Sequence, residues 1–72
     1  MIKELDSVVL TVDLPEHGLK KGDVGTVVLL HGSAGYEVEF MTLGGDTLAV
    51  ASFSKDQVRP VGNREIAQAR SF

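Results

Sequence analysis

Residues Asp13 to Val28 read DLPEHGLKKGDVGTVV, which sets Pro15, His17, Lys20 and Lys21 directly before a β-branched stretch. The run is either an active-site loop or the corner of a small barrel, and its residues favour the corner. Leu14 precedes Pro15 and is pushed into extended conformation. Asp13 can accept hydrogen bonds from the backbone two or three residues on. Gly18 follows His17 where a reversal needs positive φ, Leu19 is the apolar residue that can plug the barrel end, and Lys20-Lys21-Gly22-Asp23 is a polar turn. Gly25, inside the next strand, marks a bulge or a close strand crossing. Turning the chain accounts for each of these residue types without invoking chemistry.

Working outward, the apolar residues recur with period two in nearly every segment, which specifies strands rather than helices. Ser7 to Val12 (SVVLTV) alternates Val8, Leu10 and Val12 against Val9 and Thr11. Val24 to His31 (VGTVVLLH) is longer and partly apolar on both sides. In Tyr36 to Met41 (YEVEFM), Tyr36, Val38 and Phe40 share the core face while Glu37 and Glu39 share the other. Thr47 to Phe53 (TLAVASF) is a fourth strand. Val58 to Val61 (VRPV) is a short fifth, confined by Pro60 to an edge or a strand end. The links HGSAG (31–35) and TLGGDT (42–47) are short and Gly-rich, as hairpins between consecutive antiparallel strands require. Ser54 to Gln57 fits a single 3₁₀ turn. One long loop, tight hairpins and a helical turn before the last strand predict an all-β fold, a small SH3-like barrel of about five antiparallel strands over residues 1–61. Residues 62–72 form a C-terminal tail or short helix. Asn63 would be its N-cap, with Ile66, Ala69 and Phe72 on one side. The segment frays, or it orders by docking on its own barrel or on a second copy.

Seventy-two residues make at most one domain, and a chain of that size buries only about 60% of the surface it exposes when unfolded. A partner subunit is one way to supplement so thin a core. The absence of cysteine removes disulfides, thiolate metal sites and thiol nucleophiles, and fits a reducing compartment. Lys3, Glu4 and Asp6 interrupt the apolar run that a secretory signal needs, and no apolar stretch has membrane-spanning length. A cytoplasmic location, with no membrane contact, is therefore expected. Residues 1–61 carry five Lys/Arg against nine Asp/Glu, a charge of −4, while residues 62–72 carry Arg64, Arg70 and Glu65, a charge of +1. The acidic barrel disfavours nucleic acid.

The runs Glu4 to Leu10 (ELDSVVL), Asp13 to Val28, Tyr36 to Phe40 and Gln57 to Val61 resemble a family of small bacterial proteins known only as a domain of unknown function. The resemblance covers about residues 2–61 and is most specific over DLPEHGL.KGDVGTVV. It implies an SH3-like barrel. GLKKGDVGTVV is also similar to the Lys-Gly turn and strand of KOW-type ribosomal and transcription modules, which would imply an RNA contact. SH3-like barrels host many unrelated functions, so the fold implied does not name an activity.

Catalytic, metal-ligating and cofactor-binding residues are not expected. His17 and His31 are the only histidines and neither has a ligand at metal spacing. Alternation puts Glu37 and Glu39 in solvent rather than in the desolvated cleft that would split a pair of carboxyl pKa values. Ser7, Ser33, Ser52, Ser54 and Ser71 lack a nearby base or a nucleophile-elbow context. For RNA, Lys20, Lys21, Lys55 and Arg59 supply charge and Tyr36 or Phe53 a stacking face, against an acidic background. The expected function is a non-enzymatic protein-binding module for an unidentified protein partner. Its contacts would be Glu16, His17, Lys20, Lys21 and Tyr36, since the loop is longer than a hairpin needs. The alternatives are a self-associating, immunity-type or assembly factor, a homo-oligomer pairing through a strand edge or through Ile66, Ala69 and Phe72, and a KOW-like RNA contact.

Overall fold

The computed structural model describes residues 2–72; Met1, with which the expected domain opens, lies outside the described residues. Five strands form: β1 (Ser7–Leu10), β2 (Val24–Leu30), β3 (Tyr36–Met41), β4 (Thr47–Phe53) and β5 (Val58–Pro60). They make one sheet in the order β4-β3-β2-β1-β5, with every neighbouring pair antiparallel. β1 to β4 lie side by side in sequence order, and the last strand, β5, returns to pair with the first. That is the connectivity expected of an SH3-like fold. β4 and β5 are the two edges and do not pair with each other.

Alternation assigns the faces. Val8, Leu10, Val27, Val38, Phe40, Phe53 and Val58 point to one side and form the core with Leu19 from the long loop. Phe40 and Phe53, on adjacent strands, meet edge to face with ring centroids 5.7 Å apart. Gly25 resolves to a close approach. A Cβ there would lie 2.6 Å from Val38 Cγ1 and 2.8 Å from the Phe40 ring, so the missing side chain is what lets β3 pack down on β2. The bulge in β2 falls later, between Val27 and Leu29.

β2 and β5 each end one residue short of the expected stretch, at Leu30 and Pro60, and three further features differ from the sequence expectation. β1 stops at Leu10 rather than Val12 because the link before β5 takes the next residue: the Thr11 N–H donates to Gln57 O and its hydroxyl to Asp56 O, both at 2.8 Å. Ser54 to Gln57 holds the single i to i+3 turn expected there, Gln57 N–H to Ser54 O at 3.1 Å, and a three-residue 3₁₀ helix that the sequence did not lead us to expect sits in the long loop at Pro15–His17. Residues 62–72 form no helix, and Asn63 is not an N-cap. A segment that buries no apolar stripe gains nothing to offset helix nucleation. Glu65 is instead drawn to Arg59, and the chain stays extended enough for Arg70 to reach the long loop.

Candidate functional site

The loop between β1 and β2 is built as a closed lobe. Leu14 and Leu19 exchange two backbone hydrogen bonds, Leu14 N–H to Leu19 O at 2.9 Å and Leu19 N–H to Leu14 O at 3.0 Å, pinching Pro15 to Gly18 into a tip. Pro15 fixes the first φ of the 3₁₀ turn, and Gly18, at φ +70°, ends it in the left-handed conformation. Leu19 is the plug that the sequence called for, buried to 2% exposure in the core. Two carboxylates brace the return. Asp13 Oδ1 accepts from the Lys21 N–H at 2.8 Å, eight residues on rather than two or three. Asp23 Oδ2 accepts from the Lys20 N–H at 2.8 Å.

The lobe therefore presents Glu16, His17, Lys20 and Lys21 together, all exposed, on a frame fixed by backbone bonds. Beside them Asp13, Pro15, Gly18, Leu19 and Lys20 line an open concavity of about 350 Å³. Tyr36 stands apart: it pairs with Leu30, at the end of β2 away from the loop, and is half-buried against the core. Phe53 is 4% exposed under Phe40, which removes it as a stacking face. Glu39 accepts a hydrogen bond from the Thr47 hydroxyl at 2.6 Å, and Glu37 lies 3.4 Å from His31 Nε2. Among the described residues no three His, Asp or Glu side chains converge as a metal site would require, and no helix is long and apolar enough to cross a membrane.

Of the two residues that anchor the closing segment, helical spacing singled out Phe72 but not Arg70. The Arg70 guanidinium clasps Asp23 with two bonds, Nε to Oδ1 at 2.7 Å and Nη2 to Oδ2 at 2.6 Å, and Nη2 also donates to Gly18 O at 3.0 Å. Phe72 lays its ring on Gly18, where a Cβ would come within 2.9 Å of the ring. Ile66, at 94% exposure, and Ala69 remain in solvent. Nearer the sheet, Arg59 and Glu65 form a two-bond pair at 2.7 Å. Val9, whose cross-strand partners are Val24 and Arg59, is buried outside the core cluster. The hydrogen bonds from Arg70 hold the Asp23 carboxyl below its ordinary range, and Arg59 with the Gly62 N–H brings Glu65 down to about 2. Charge was the signal available for Arg70: residues 62–72 carry +1 beside residues 1–61 at −4, which favours contact between them.

The family model described as a domain of unknown function (DUF4926) matches residues 4–60, from just before β1 through the end of β5. The chain belongs to that family. No curated protein and no solved structure matches it. In this DUF4926 chain the matched span holds the whole core, the lobe, Gly18 and Asp23, whereas Arg70 and Phe72, which sit on the lobe, lie beyond it.

Proposed function

We propose that this DUF4926 chain is a non-enzymatic protein-binding module that engages another bacterial protein through the Asp13 to Asp23 lobe. The observation that carries the reading is the preformed tip: exposed residues of mixed charge on a loop whose backbone is already pinned by Leu14, Leu19, Asp13 and Asp23. Such a surface binds with a reduced backbone ordering cost, which raises the affinity a short loop can reach. The cysteine-free sequence suits a reducing cytoplasm. Substituting Glu16, His17 and Lys20 together by Ala should abolish capture of the partner from bacterial lysate while leaving the melting temperature in place. Lost stability with capture intact would make the lobe scaffold only. Capture that needs nucleic acid, vanishing with nuclease and falling steeply with salt, would favour the KOW-like RNA contact instead.

A second reading, self-association, is favoured by one observation. β4 is a seven-residue edge strand with no charged side chain and no proline, the devices that normally protect an edge. A second copy pairing along β4 would show as a dimer mass by light scattering that Val50→Lys returns to 7.7 kDa.

A further inference from the structure

The closing segment sits on the lobe as a ligand sits on a receptor. It brings a guanidinium to a carboxylate in two-bond geometry, adds a bond to a loop carbonyl, and lays an aromatic ring two residues later on a glycine whose missing side chain makes the room. Residues 66–69 between the two ties are exposed, so little besides Arg70 and Phe72 holds the end in place. The receiving groups Asp23 and Gly18 belong to the lobe itself, next to the concavity lined by Pro15 and Leu19.

We propose that the lobe is a receptor for a peptide segment carrying Arg-X-aromatic, and that Arg70-Ser71-Phe72 is an internal pseudo-ligand that a partner with the same pair must displace. The proposal rests on the lobe being the binding surface and adds the chemistry of what it binds. Arginine is selected over lysine because Asp23 offers both oxygens in one plane and Gly18 O extends the fork. The ring is selected because Gly18 admits a flat face that any side chain there would block. Tethering keeps the internal segment at a high effective concentration, so a partner competes against it and weak segments are refused.

The test uses the full chain with Arg70→Ala and Phe72→Ala together, titrated by fluorescence anisotropy with a labelled peptide of residues 66–72 (IAQARSF). All core residues lie between Val8 and Val58, so the variant keeps its fold, which its melting curve checks. The peptide should bind the variant on the order of tenfold more tightly than the wild type, the factor by which the tethered segment competes. Peptides with Lys for Arg70 or Ala for Phe72 should bind markedly less, and adding Asp23→Asn to the chain should remove binding. The single Phe72→Ala chain, which keeps the ion pair, should fall between. Equal binding to variant and wild type, or none to either, would overturn the proposal. So would capture of the lysate partner that is no stronger on the variant than on the wild type. Failure of the broader reading looks different: capture would then be indifferent to Glu16, His17 and Lys20, whatever the peptide does.

Discussion

At Gly25 a single hydrogen decides how closely two strands meet. An alanine Cβ would enter the space held by Val38 Cγ1 and the Phe40 ring, and both of those side chains are fixed in the core. Gly25→Ala should therefore cost about 2 kcal/mol, the range of overpacked cores, and lower the melting temperature by roughly 10 °C in thermal unfolding followed by circular dichroism. Leu5 is the opposite case. It adopts φ 71° with its side chain 78% exposed, so it holds a left-handed conformation with little burial to compensate. Leu5→Asn should raise stability by about 0.5–1 kcal/mol in urea unfolding, because Asn tolerates that conformation. Asp23 and Glu65 make the segment 62–72 sensitive to acid. Both carboxyls sit below their ordinary values of 3.8 and 4.5 in the folded chain, Glu65 at about 2. Their contribution is thus complete above those ordinary values and lost as pH falls through the lowered ones. Nuclear magnetic resonance should find Phe72 and Gly18 in contact at pH 7, losing that contact as pH falls below the ordinary aspartate value of 3.8 while the core signals persist.

Among the elements, those with one wet face were legible. β3 and β4 run over the residues that alternation assigned, and the Gly-rich links did become hairpins. Strand alternation reads well because each register is held by a buried face. The single turn at Ser54 to Gln57 was legible, whereas the 3₁₀ helix in the long loop was not, because the sequence reading gave no helical weight to Pro15, whose fixed φ starts that helix three residues before Gly18 ends it. Leu19 was legible as a plug, since it is the lone apolar residue between polar turns. The lobe's brace was only half legible: Asp13 reads as a turn acceptor, but its partner, the Lys21 amide, is set by the Leu14 and Leu19 pinch and not by local spacing. The contacts of Arg70 and Phe72 span about fifty positions of sequence; helical spacing pointed to Phe72 as a docking residue but not to Arg70 or to where either lands. Arg70→Ala should free the segment while shifting the melting temperature by under about 2 °C, since the core lies elsewhere. Faster amide exchange confined to the segment and to Gly18 would report that release.

For the molecule as a whole, the open sheet leaves two unequal edges. β5 is three residues long and ends at Pro60, which blunts it, whereas β4 offers seven residues without charge. Val50→Lys should suppress any association at high concentration in light scattering. It should do so without destabilising the fold, because residue 50 faces Glu39 across the β3–β4 pair and gains an opposite charge there. The loop between β1 and β2 gathers the pinned lobe, the concavity and the segment laid over it. The account stands or falls on whether a partner lands there. The most direct measurement is to titrate the protein captured from bacterial lysate into isotopically labelled chain and map the amide signals that move. The account predicts shifts concentrated at residues 14–23, with those of residues 70–72 moving as the segment is displaced. Shifts clustered along β4 instead, or a capture that yields no protein at all, would contradict it.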